Sequence, residues 1–232
     1  MLSILMPVYN ERERVERALE EVLDTVLPME FELIVIDDGS TDGTRELLRE
    51  RVTRDPAEQR VRLVEHDHNQ GKGAAVRTGL AHARGELTCV LDADLEYDPE
   101  DLARLIGPLL DGSVNACFGV RAFDGYTSHS FLFVIGNKGV TLVCNMLFNV
   151  YLRDIMTCQK MLRTDLFRSL DLRANGFTIE PEIAARLIQR RERIYELPVR
   201  YRARSDGEGK KLTARDGFRV VGMLLRCRLG MH

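Results

Sequence analysis

Apolar residues fall in short continuous runs over the first half of the chain, and between the runs they recur at helical spacing. Ser3–Val8, Phe31–Ile36, Val61–Glu65, Leu87–Leu91 and Val114–Val120 read as five strands. They are continuously apolar rather than alternating, as expected of a sheet covered on both faces. Glu11–Leu27 carries Val15, Ala18, Leu19, Val22 and Val26 along one helical face. Helices are also predicted over about Thr41–Thr53, Gly71–Ala83 and Pro99–Leu110. This alternation predicts right-handed βαβ units on a mostly parallel, Rossmann-like sheet of the α/β class. In such sheets ligands bind outside the carboxyl ends of the strands. Three acidic loops emerge at that edge: Tyr9–Glu11, Asp37-Asp38 and Asp92–Asp94.

From His129 the pattern changes. Ser130–Ile135 and Val140–Leu152 are strongly apolar, and Gly136-Asn137-Lys138-Gly139 interrupts them. The pair reads either as core or as amphipathic segments at a membrane surface. Asp154–Arg163 is expected to be a strand, Ile179–Arg191 a helix opening on Glu180-Pro181-Glu182, and Ile194–Tyr201 a last strand. Asp216–Leu229 predicts a final helix with apolar Phe218, Val220, Val221, Met223, Leu224, Leu225 and Leu229 beside Arg219, Arg226 and Arg228. A basic amphipathic helix suits anionic lipid head groups, and it suits packing on the domain equally well.

Composition narrows the class. The chain has 232 residues, enough for one large domain or two small ones, and its 44% hydrophobic and 30% charged content is ordinary for a soluble globular protein. A net charge of −3 supplies no basic field, so nucleic acid is not an expected partner. The five cysteines are odd in number and widely spaced, against a disulfide framework or a zinc site. The chain opens on a strand-like run, so no signal peptide is expected. No apolar stretch is long enough to span a bilayer, which makes the cytoplasm the expected compartment.

The candidate chemistry centres on Glu86–Asp98, where the apolar run Leu87–Leu91 delivers Asp92 and Asp94, followed by Glu96 and Asp98. Clustered carboxylates at a strand end repel one another and lose water. A hard divalent cation, Mg²⁺ or Mn²⁺, relieves both problems, and such ions bind through one or two carboxylates plus substrate phosphates. Asp-x-Asp also forms ordinary turns, and Asp98-Pro99-Glu100-Asp101 has the pattern of a helix start. At the second strand end, Asp37 and Asp38 can accept hydrogen bonds from a base or a ribose; Asp and Gly are also simply turn residues. Asn69-Gln70-Gly71-Lys72-Gly73 opens a helix, where the glycines and Lys72 favour an anion, although it matches neither standard phosphate-loop pattern. His66 and His68 flank Asp67 in what reads as a solvated loop. Arg121, just past the fifth strand, is placed to clamp phosphate oxygens or to make a surface ion pair. Lys210 and Lys211 lie in a glycine-containing basic loop able to close over a phosphate.

The ordered set MPVYNE, VIDDGSTDGT, HNQGKGAAVRTG, LDADLEYDPEDL, DIMTCQKMLR, FTIEPEIAARL and YELPVRYRARSDGEGKKL resembles the family-2 glycosyltransferases of the GT-A fold. The resemblance spans nearly the whole chain. It is nearest the branch that includes the dolichyl-phosphate mannose and glucose synthases. It implies one GT-A domain over residues 1–232, with a nucleotide-sugar-binding half (1–120) and an acceptor-binding half (121–232) ending in the amphipathic helix. It implies that Pro7, Tyr9, Glu11 and Asp38 hold the nucleoside, and that Asp92 and Asp94 hold the metal and the donor diphosphate. Glu96, a further candidate ligand, stands where mannose synthases often have Gln. Arg121 matches an arginine associated with the acceptor phosphate, and Asp154 and Lys160 match the family's acid and basic residue six positions on. Lys210 matches the mobile-loop lysine, in a loop that here reads Gly207-Glu208-Gly209-Lys210-Lys211. Family members commonly carry C-terminal membrane helices or an added domain, and residues 1–232 are expected to include neither.

The implied activity is an inverting, metal-dependent transfer of a hexose from a UDP- or GDP-sugar to a polyprenyl phosphate. The protein would then sit at the inner face of the cytoplasmic membrane. With a hydroxyl acceptor instead, on a saccharide or small molecule, a base is required, and Asp154 and Glu182 are the candidates. A nucleotide-sugar-binding protein without transfer activity is the third reading.

Overall fold

The computed structural model of the chain describes residues 1–54, 60–121, 131–202 and 214–230. Seven strands form one sheet: β1 (Leu2–Val8), β2 (Phe31–Asp37), β3 (Val61–Glu65), β4 (Leu87–Val90), β5 (Ala116–Arg121), β6 (Lys160–Arg163) and β7 (Ile194–Val199). Their spatial order is β3-β2-β1-β4-β6-β5-β7. β6 runs antiparallel to both of its neighbours, and every other pairing is parallel. The carboxyl ends of six strands therefore share one edge, and the reversed β6 brings its first residue, Lys160, to the same edge opposite Phe118.

Alternate residues of the buried strands serve two cores. On one face Leu2, Ile4, Met6 and Val8 of β1 and Leu33 and Val35 of β2 pack under α1 (Val15–Leu23), α2 (Thr44–Arg54) and α4 (Asp101–Leu110). On the other face Leu5, Ile34, Ile36, Val90, Ala116 and Phe118 pack under α3 (Lys72–His82), α5 (Phe131–Phe148), α6 (Thr164–Ser169), α7 (Ile179–Gln189) and α8 (Ala214–Arg228). Both faces are covered, which is why the strands read as unbroken apolar runs.

The second half corrects two expectations. Gly136-Asn137-Lys138-Gly139 does not divide the apolar segments, because α5 runs through it. The two glycines are exposed, and Asn137 points inward, where Thr141 and Cys144 continue the same buried stripe. Burial of that face outweighs the roughly 1 kcal/mol that each helical glycine costs relative to alanine. The strand expected over Asp154–Arg163 is confined to Lys160–Arg163; Asp154–Gln159 form a buried loop, and α6 follows unannounced. All five cysteines are free and buried.

Candidate active site

The loops at the carboxyl edge are tied to one another before any ligand is considered. Asn10, at φ 55°, donates its N–H to Ser40 Oγ, and its own Oδ1 accepts from Thr41 N–H. Glu11 N–H reaches Thr44 Oγ1. The loop after β1 is thus stitched to the loop after β2, with Pro7 partly buried, Tyr9 exposed and Glu11 paired with Arg14 at 3.3 Å.

The two acids that end β2 have internal partners. Asp37 is fully buried, accepting from Arg45 Nε at 2.7 Å and from Ser40 N–H. Asp38 accepts from Gln70 N–H at 2.9 Å and Gly71 N–H at 2.8 Å, and its Oδ1 lies 2.7 Å from His66 Nδ1. His66 is buried, not solvated; its Nε2 meets Thr78 Oγ1 on α3 at 2.9 Å. Asp38 and His66 therefore set the loop that presents Lys72.

That loop needs its glycines for a reason other than phosphate approach. A Cβ on Gly71 would stand 2.4 Å from Asn175 O, and one on Gly73 would stand 2.2 Å from Ala174 O. Gly73 N–H donates to Asn175 O at 2.7 Å, so the start of α3 is already capped by a neighbouring backbone. The anion-binding potential of the loop is left to Lys72. Its Nζ lies 2.7 Å from Asp92 Oδ2 and 2.5 Å from Glu180 Oε1. Burial works against the ammonium, but Asp92 and Glu180 outweigh it and hold the Lys72 pKa well above its ordinary value.

Asp92 and Asp94 emerge from β4 with Leu91 and Ala93 turned into the core between and beside them. Asp94 Oδ1 accepts Glu96 N–H, a local turn at the end of β4. Glu96 points elsewhere: its Oε2 accepts from Tyr201 Oη at 2.8 Å, and its carbonyl accepts from Arg202 N–H. Asp98 likewise pairs with Arg200 at 3.0 Å. Among the described residues no group of three or more His, Cys, Asp or Glu is arranged to hold a metal. Two hard carboxylates without a third fit Mg²⁺ or Mn²⁺ that completes its shell with water and diphosphate oxygens, not an all-protein cage.

The fifth strand ends on a buried ion pair. Arg121 Nε and Nη2 bond Asp154 Oδ2 and Oδ1 at 2.7 and 2.8 Å, a bidentate fork. Nη2 also reaches Asn137 Oδ1 on α5 at 3.2 Å, and the guanidinium lies 5.3 Å from the Tyr201 ring centroid and 5.7 Å from that of Phe133. Lys160 is wholly buried, 4.8 Å from the Phe118 ring centroid, and donates to Ile155 O and Thr157 O. Burial pushes its pKa down to about 8, with Glu180 and Asp154 offsetting only part of the effect. Between pH 8 and its ordinary value the unfolded chain holds this proton and the folded chain does not, so stability rises with pH across that window. Lys160→Met should lack this rise. Denaturant unfolding from pH 8 to 10.5 should show wild type gaining about 3 kcal/mol on the variant.

Glu182, a base candidate from sequence, lies outside this group: its oxygens accept Arg173 and Ala174 N–H at 2.8–3.1 Å and fix the loop before α7. Glu180, two residues earlier, is the acid that faces Lys72. Two positions on a helix differ by about 200°, so of two acids flanking Pro181 only one faces the edge. Tyr201, which donates to Glu96 and lies beside the Arg121 guanidinium, and Tyr97, whose ring centroid is 5.2 Å from that of Tyr201, also join the site without having been singled out. Lys210 and its glycine-containing loop lie outside the described residues.

This arrangement, a mostly parallel sheet with an Asp-x-Asp loop at its carboxyl edge, defines a class. The chain belongs to glycosyl transferase family 2, whose sequence profile matches residues 3–170. It is 31% identical over 228 residues to dodecaprenyl-phosphate galacturonate synthase of Rhizobium johnstonii, covering 97% of this chain and 65% of that protein. It is 27% identical over 213 residues to dolichol-phosphate mannosyltransferase of Pyrococcus furiosus, covering 90% of this chain and 58% of that protein. The chain thus spans about three-fifths of the length of these relatives. Glucosyl-3-phosphoglycerate synthase of Mycobacterium tuberculosis, crystallised with Mn²⁺, UDP and glucosyl-3-phosphoglycerate, aligns with a TM-score of 0.75 at 20% identity, over 100% of this chain and 81% of that one. That likeness establishes the GT-A fold.

Proposed function

We propose that the protein transfers a sugar from a nucleoside diphosphate donor to a polyprenyl phosphate, with inversion. The observation that carries the choice of acceptor is the state of the candidate bases. Both oxygens of Asp154 are bound by Arg121, and both oxygens of Glu182 are bound by loop N–H groups. Both carboxylates are buried and turned to these partners, so neither is presented to an acceptor hydroxyl. Glu180 is paired with an ammonium. A phosphate acceptor needs no base, because its oxygen is already anionic near neutral pH. The names of the two relatives, both acting on polyprenyl phosphates, support the same acceptor.

Asp92 and Asp94 would hold Mg²⁺ or Mn²⁺, which when bound neutralises charge on the departing nucleoside diphosphate. Pro7, Tyr9 and Glu11 line the nucleoside end of the edge. Asp37 and Asp38 act there through the loops they fix, and Lys72 reaches the diphosphate. Arg121, oriented by Asp154 and Asn137, serves the acceptor phosphate together with Lys210. The residue 1–120 part supplies the donor side of this site and the 121–232 part the acceptor side.

The acceptor also points to a membrane surface. Among the described residues no helix is long and apolar enough to cross a bilayer. α5 instead exposes Phe131, Leu142 and Met146 without a single acidic residue, and α8 exposes Phe218 and Leu225 beside Arg226 and Arg228. Apolar stripes with basic flanks suit the interface of an anionic leaflet, which would make the protein peripheral.

The test is transfer itself. Labelled UDP- and GDP-sugars, incubated with the protein, Mn²⁺ and polyprenyl phosphate in vesicles, should yield an organic-soluble product that chelation of the metal removes. Equal product with a soluble saccharide acceptor and no lipid would overturn the reading, and donor binding without product from any acceptor would favour a non-catalytic binder.

A further inference from the structure

We propose that Lys72 is an internal counter-ion occupying the metal's side of Asp92, so that the cation and the donor diphosphate bind as a pair and neither binds well alone. The inference rests on the metal–diphosphate reading of Asp92 and Asp94.

Three elements meet to hold one ammonium: α3 supplies Lys72 at its first residue, the loop after β4 supplies Asp92, and α7 supplies Glu180 in its first turn. The side chains of Lys72 and Glu180 are only 12% and 6% exposed, so the contact is a largely desolvated one and not a solvated surface pair. A divalent cation on Asp92 would stand against this ammonium at short range, and at such range two like charges in a poorly solvated setting repel strongly. Withdrawal of the lysine from Asp92 would relieve that repulsion and free the oxygen it holds.

The structure provides a place for it to go. The second oxygen of Glu180, Oε2, is buried and has no hydrogen-bond partner among the described residues. An unsatisfied buried carboxylate oxygen is costly, and it is the natural acceptor for the N–H that Lys72 withdraws from Asp92. Lys72 would swing from bridging Asp92 and Glu180 to sitting on both oxygens of Glu180, with another N–H directed at the incoming diphosphate. That move needs an anion to compensate it, and the diphosphate is the anion that arrives with the cation. Each ligand then favours the other, and the coupling is reciprocal.

Mn²⁺ binding, read from the paramagnetic resonance signal of the free ion, tests this without any turnover. The wild-type protein should bind Mn²⁺ at least tenfold more tightly with UDP or GDP present than without. Lys72→Met should bind Mn²⁺ alone at least tenfold more tightly than wild type and gain little further from nucleotide. Glu180→Gln, which leaves Lys72 with Asp92 as its one carboxylate, should bind Mn²⁺ alone no more tightly than wild type. The opposed directions separate the proposal from a general loosening of the fold, and circular dichroism of each variant checks that it is folded. If Mn²⁺ binds wild type with nucleotide, but Lys72→Met binds Mn²⁺ alone no better than wild type does, the counter-ion role is wrong and the metal site stands. If Mn²⁺ binds none of these proteins even with UDP or GDP, the metal reading itself falls, and the proposal with it.

Discussion

Asp94→Asn should lower sugar transfer about a thousandfold, on the order of 4 kcal/mol of transition-state stabilisation, and leave the fold intact. The size follows from where charge develops. A departing nucleoside diphosphate gains negative charge as the sugar bond breaks, and a carboxylate that anchors its counter-cation acts most at that moment. The fold is spared for a local reason. Asp94 Oδ1 accepts Glu96 N–H, and an asparagine Oδ1 accepts the same bond, so the turn survives. Unfolding free energy should stay within about 0.5 kcal/mol of wild type. Near-normal turnover of this variant with Mn²⁺ present would contradict the assignment.

Arg121→Met should instead damage both stability and transfer. It strips Asp154 of its bidentate partner at a position where both side chains are about 5% exposed. A buried carboxylate left without its cation costs about 3–5 kcal/mol, and denaturant titration should show a loss of that order. The double variant Arg121→Met/Asp154→Leu removes both charges and should recover most of the stability, because well-packed apolar pairs replace buried ion pairs with little loss. Transfer should not recover with it, since the acceptor phosphate has still lost its arginine. A double variant that regained both would show that Arg121 is a structural cation only.

Much of the first 120 residues was readable along the chain, and the reason is geometric. Parallel strands buried on both faces leave continuous apolar runs, and each run ends at the same edge. Asp92, Asp94, Arg121 and Tyr9 could thus be placed there from order alone. What could not be read was which way a polar side chain turns once it arrives. Glu96 follows Asp94 by two residues, yet it turns to Tyr201, which lies 105 residues away in sequence. Glu182 and Glu180 share one helical turn and face different neighbours. Gly71 and Gly73 suggested a phosphate cradle, but the backbone that demands them belongs to Ala174 and Asn175. Each of these orientations is set by a tertiary contact, which periodicity does not encode. The continuity of α5 was missed for a related reason: Asn137 reads as a breaker until Arg121 is known to sit against it.

If Asp92 and Asp94 form a metal-dependent diphosphate site, ligand-induced thermal stabilisation should depend on both the metal and Asp94. UDP, GDP and their sugars would be compared with Mn²⁺ and with chelator, on wild type and Asp94→Asn. Stabilisation follows affinity by mass action, so a ligand at a hundred times its Kd adds about 2.7 kcal/mol. One nucleotide series should raise Tm with Mn²⁺, and the shift should vanish with chelator or in Asp94→Asn. An equal shift in chelator, or one that Asp94→Asn retains in full, would show that these two carboxylates hold no metal for the diphosphate.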